Sequence, residues 1–221
     1  MPVIVAEAVL ETYHLAEFTA WPTATPPGDH LLVLSGQMTS AEVGTAIAVI
    51  FEYAGIPAAP TADLHHRLDQ HLSEAEALVA PGGLRFRDTS TGAEVAPGCC
   101  FGLESWHEWQ EVLHGEINWL GHGPEPHVER ENETIRLRQD HDRPAPPTLE
   151  IRLTDLPGLL LSAQRQLQAF LDLVRRWANE ISPAAVTRLV AVLDENLKIN
   201  TGLRLNDQSR IHPAVAPVDV Q

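Results

Sequence analysis

Several things are scarce in this sequence. Of its 15 basic residues only Lys198 is a lysine, and its two cysteines, Cys99 and Cys100, are neighbours. Two adjacent thiols cannot build a disulfide framework, and no C-x-x-C or second cysteine pair exists for a zinc site or a dithiol redox motif. No apolar run is long enough to span a bilayer, because the most apolar stretch, 43–56, is broken by Gly44, Glu52 and Gly55. The first residues carry no basic segment and place Glu7 and Glu11 where a signal peptide needs apolar side chains, so a cytoplasmic protein is expected. Nucleotide and nucleophile signatures are missing too: the chain has no G-x-G-x-x-G, no G-x-x-x-x-G-K-[ST], no G-x-S-x-G and no H-E-x-x-H.

What is present is acid. Thirty Asp and Glu face fifteen bases, a formal charge of −15, in an Ala-, Pro-, Leu- and Arg-rich, actinobacterial-like composition. Residues 1–147 hold 22 acids and 7 bases, a balance of −15, while 148–221 hold 8 of each. A field of that sign repels nucleic-acid phosphates and anionic lipid, so neither is an expected partner. It attracts a basic protein, and it also serves solubility. A chain of 221 residues can bury roughly 70% of its unfolded surface and needs no metal or disulfide staple for stability; no cofactor or metal is expected.

Proline-rich stretches at 21–28, 56–61 and 143–148 read as connections. The first is placed to separate a short N-terminal segment from the body. The third coincides with the charge shift and marks a subdomain boundary near 143–148, within a single α+β domain of residues 1–208. Residues 209–221 carry Pro213 and Pro217 and no periodicity, which predicts an extended tail. The pattern alternates. A strand is predicted at 31–35, and a helix capped by Thr39 or Ser40 runs to about 54. A second helix at 61–79 is ended by Gly82-Gly83. Hairpins follow at 84–96 and at 127–139, the second turning at 131–133, with strands at 117–120 and 149–153. From Thr154-Asp155-Leu156-Pro157, apolar residues at alternating spacings of three and four predict an antiparallel pair of helices, the second beginning at Ser182-Pro183.

The densest chemistry lies in 97–127, which holds three of the five tryptophans, both cysteines and four of the eleven histidines. A short helix is predicted from about 103 to 113, and with 103–114 on an α-helical wheel of about 100° per residue, Trp106, Trp109 and Leu113 form an apolar face. Glu104, His107, Glu108, Glu111 and His114 gather opposite. Glu104-x-x-His107 and Glu111-x-x-His114 are carboxylate–imidazole steps of the type that carboxylate-bridged metal sites use. Both stand on one helix, about 10 Å apart at ~1.5 Å per residue, and no second helix supplies the complement. A mononuclear site would borrow His122 or His127. Cys99 and Cys100 precede the helix, whose N-terminus favours a thiolate, while Glu104 and Glu108 oppose one; they are expected to be small buried thiols beside the Trp core. His65, His66 and His71 on the predicted second helix, and Asp140-His141-Asp142, read as solvated.

The fold expected is therefore α+β. A mostly antiparallel sheet from the middle of the chain is covered by N-terminal helices and the C-terminal helix hairpin. Two functions remain open. One is a non-catalytic, immunity-protein-like interaction module for a basic protein such as a toxin, touching it through Glu129, Glu131 and Glu133 at the hairpin tip. The other is a metal-binding protein or hydrolytic enzyme using Glu104, His107, Glu111, His114 and His122.

Overall fold

In the computed structural model, residues 3–13, 18–56, 72, 78–116, 119–123, 125–140 and 144–205 are described. They form two antiparallel sheets with helices against them, an α+β architecture. The first sheet has the order β2-β1-β3-β4, from β1 (Ile4–Glu11), β2 (Leu31–Val33), β3 (Gly82–Asp88) and β4 (Glu94–Val95). The second is a meander of β5 (His127–Glu131), β6 (Thr134–Arg138) and β7 (Thr148–Arg152). The helices are α1 (Ser40–Tyr53), a 3-10 helix (Leu103–His114), α2 (Leu156–Ile181) and α3 (Val186–Leu197), with a 3-10 turn at Pro183–Ala185 before α3. Among the described residues no helix is long and apolar enough to cross a membrane.

The N-terminal strand is the main departure from expectation. β1 is a central strand, paired with β2 from Val9↔Val33 and with β3 from Ile4↔Asp88 to Leu10↔Gly82. Ala6, Ala8 and Leu10 are buried, and Glu7 stands opposite Arg85, which it pairs at 2.9 Å. The residues before the first proline-rich stretch are thus part of the core sheet, and that stretch is no boundary. Trp21 is buried, donates from Nε1 to the Gly44 carbonyl of α1 at 2.8 Å, and meets Phe51 and Trp177 edge-on. Gly82-Gly83 opens β3 instead of closing a helix. A Cβ on Gly82 would stand 2.0 Å from the Val9 carbonyl oxygen, so glycine is what lets β3 approach β1 there. The predicted helix at 61–79, with His65, His66 and His71, lies outside the described residues apart from helical Leu72 and from Leu78 and Val79; His141, Asp142 and the tail at 209–221 lie outside them too.

Local signals hold where they are strong. Thr39 accepts from the Glu42 amide while Glu42 accepts from the Thr39 amide at 2.7 Å, a reciprocal capping box at the start of α1. α2 and α3 follow the predicted spans and bury Leu160, Ala163, Leu167, Phe170, Val174 and Trp177 on one side and Leu189, Leu193 and Leu197 on the other. The start of α2 differs in detail: Asp155 caps nothing and instead holds Arg152 at 2.8 Å. β7 begins at Thr148, the last residue of the third proline-rich stretch, and pairs along β6 from Arg138↔Thr148 to Thr134↔Arg152, so the second sheet bridges that stretch. One side chain also ties the two sheets together where β7 packs beside β3 and β4. Gln139 accepts from the Ala96 amide at 2.6 Å and donates to the Ala96 carbonyl at 3.2 Å, acting as a short strand on the end of β4.

Candidate functional site

The 97–127 segment is built on the 3-10 helix, and its period redistributes the side chains. At about 120° per residue every third residue eclipses. Leu103, Trp106, Trp109 and Val112 form the buried row. Glu104, His107 and Gln110 form a second, and Ser105, Glu108, Glu111 and His114 the outward one. The single Glu/His face of the α-helical wheel does not exist. Glu104 and His107 share one row, Glu111 and His114 another, and 7 positions at ~2 Å each separate the glutamates by about 14 Å. His107 is buried, at 5% exposure, whereas Glu108 and His114 are exposed. The strict spacing of three in Leu103, Trp106, Trp109 and Val112 was the signal available for this.

The inward rows grip the C-terminal end of α3. Trp106 Nε1 donates to the Leu197 carbonyl at 2.7 Å, and Gln110 accepts from the Arg204 amide at 2.7 Å. His107 hydrogen-bonds the backbone of Lys198, a left-handed residue at φ 52°. Burial, with the Lys198 charge adding to it, pushes the His107 imidazole below its usual pKa, so the ring is neutral in the fold. Glu104 accepts from the Ala80 amide at 3.2 Å. These residues do structural work, and among the described residues no three His, Cys, Asp or Glu side chains gather as a metal site.

His122 lies elsewhere. Its backbone exchanges hydrogen bonds with Cys99, at 2.7 and 3.0 Å, and its Nδ1 is 3.0 Å from the Cys99 carbonyl. Residues 117 and 118 are outside the described set, and Trp119 and Leu120 are not in a strand. Gly121, at φ 98°, lets this loop close: a Cβ there would be 2.5 Å from the Gly98 oxygen. Trp119 is 54% exposed and contacts Phe101 and His122. Both cysteines are exposed, contrary to expectation, because the turn through Cys100 at φ 64° faces them outward. Their sulfurs are 3.6 Å apart. The hydrogen bond with Cys99 leads in raising the Cys100 thiol pKa, followed by burial, the Cys99 charge and Glu11; the expected opposition from Glu104 and Glu108 is not what acts. The Tyr53 hydroxyl is raised by burial, then by the charges of Glu11, the two cysteines and Glu52.

The hairpin tip turns where predicted, with Asn132 left-handed at φ 53° between Glu131 and Thr134. Two of its three acids are matched by bases. Arg138 holds Glu129 at 3.1 Å, and Arg136 holds Glu131 at 2.7 Å and Glu150 at 3.0 Å. This outer face alternates in sign, while Val128, Ile135, Leu137, Leu149 and Ile151 face the core. Glu133 is exposed and makes no ion pair among the described residues. Arg130 donates to the carbonyls of Val112 and Leu113 at 3.4 and 3.1 Å, which sets the tip beside the end of the 3-10 helix. Glu111 and exposed Glu116 stand at that same end. Compared with known proteins, the chain matches no family model, no curated protein and no solved structure.

Proposed function

We propose that the chain is a non-catalytic interaction protein for a basic protein partner, in the manner of an immunity protein that neutralises a basic toxin. The observation that carries the reading is the charge imbalance: −15 on residues 1–147, which supply β1 to β6, α1 and the 3-10 helix, against zero on 148–221, which supply β7, α2 and α3. A strongly acidic field attracts an approaching cation and raises its on-rate. Within the surface first expected to make contact, Glu133 is available, and Glu111 and Glu116 extend it; Glu129 and Glu131 are largely spoken for by Arg138 and Arg136.

The test is association kinetics with a basic partner captured from the native host. Glu111, Glu116 and Glu133→Gln together should slow association and flatten its salt dependence, leaving dissociation little changed. Glu129 and Glu131→Gln should do less. An association rate that is the same at low and physiological salt, or untouched by the triple substitution, would make the acidity a solubility feature.

A further inference from the structure

The exposed Cys99–Cys100 pair has no part in the interaction reading, yet it is held in place. Cys99 is fixed by reciprocal backbone hydrogen bonds to His122, and Cys100 by its left-handed turn. The loop under them closes only because Gly121 has no side chain. The two sulfurs stand 3.6 Å apart on the surface. Bonds of about 2.3 Å, the length of a zinc–thiolate bond, meeting at roughly 105° span about 3.6 Å. The pair therefore has the bite of a bidentate ligand for a soft centre.

We propose that Cys99 and Cys100 form a chelating site for a soft, thiophilic centre that brings its own third substituent, of which a monosubstituted trivalent arsenical is the type. The number of ligands selects this class. Zinc needs three or four protein ligands, and among the described residues no third His, Cys, Asp or Glu joins the pair. A pyramidal trivalent centre needs only two. The condensation is balanced without any change of oxidation state: an arsenoxide, R–As=O, takes two thiols to give R–As(S)2, and the oxide oxygen leaves as water with the two thiol protons. The raised Cys100 thiol suits this chemistry, which consumes protonated thiols, and is a poor fit to a thiolate nucleophile. Closure to a disulfide is disfavoured, because adjacent Cα atoms lie about 3.8 Å apart across a trans peptide, shorter than the roughly 4.4–6.8 Å that disulfides use.

The experiment uses the full chain and phenylarsine oxide. One equivalent should bind per chain, remove both thiols from titration with a disulfide reagent, survive excess monothiol and be released by a small dithiol. Cys99→Ser and Cys100→Ser should each weaken retention by about 100-fold or more, the loss of an intramolecular second bond. Both sites are exposed, so thermal melting of each variant should match the parent, which separates lost chelation from lost folding. Retention unchanged in either variant, two thiols still titrating with the arsenical bound, or zinc retained at one equivalent in place of the arsenical would each overturn the proposal. None of these outcomes depends on whether a basic partner exists.

Discussion

Trp106 and Trp109 stand one turn apart on the same buried row, at 0% and 2% exposure, but differ in one atom's company. Trp106 Nε1 donates to the Leu197 carbonyl, whereas Trp109 Nε1 is buried with no hydrogen-bond partner among the described residues. Replacing either by Phe removes a similar part of the indole, at about 1–2 kcal/mol for lost transfer and residual cavity. In Trp106→Phe the Leu197 carbonyl also loses its donor. It lies in the last turn of α3, where helix carbonyls have no amide of their own, and stranding it costs about 1–3 kcal/mol more. In Trp109→Phe the substitution removes a donor that was already desolvated and unpaired, which returns a comparable amount. Trp106→Phe should thus lose about 2–5 kcal/mol and Trp109→Phe close to none. Urea unfolding with unchanged slope reads the gap directly: at ~2–3 kcal/mol per molar, the two midpoints should differ by about 1–2 M. Equal midpoints, or Trp109→Phe the less stable, would refute the assignment of the 3-10 helix as a hydrogen-bonded clamp on α3.

Two further outcomes test the same assembly. His107 has its folded pKa below the ordinary 6.5, so below that value the unfolded chain binds a proton that the fold refuses. Stability should therefore fall as pH drops through 6.5 toward the folded pKa, and the loss between pH 7.5 and 5.5 in urea midpoint should be smaller in His107→Gln; an equal loss in both proteins would refute it. Gln139→Leu should cost about 1–3 kcal/mol by leaving the Ala96 amide and carbonyl unpaired, and should speed hydrogen exchange at Ala96 more than at Phe86.

How much could be read in advance depended on whether the decisive contact was local. The Thr39/Glu42 box, the α2 and α3 stripes and the turn at Asn132 follow from residues within a few positions of one another. β1 did not show itself, because its partners lie at 31–33 and 82–88 and its short alternation includes Glu7, whose charge is acceptable only beside Arg85 and Arg87. The site region was legible as a concentration of Trp, His, Cys and Glu, but its geometry was not. An α-helical period puts His107 among the acids; the 3-10 period that docking on α3 selects puts it in the interior.

By itself the sequence determined the charge and its segregation, the α+β alternation, the helix pair and the acids of the hairpin tip, since each depends on composition or on spacing along one element. Only the tertiary structure decided three things. It made the N-terminal strand central. It cancelled Glu129 and Glu131 with Arg138 and Arg136, because cross-strand register sets which charges meet. It turned Cys99 and Cys100 outward side by side, because a left-handed residue in a loop pinned to His122 aims a side chain in a way that no periodicity encodes.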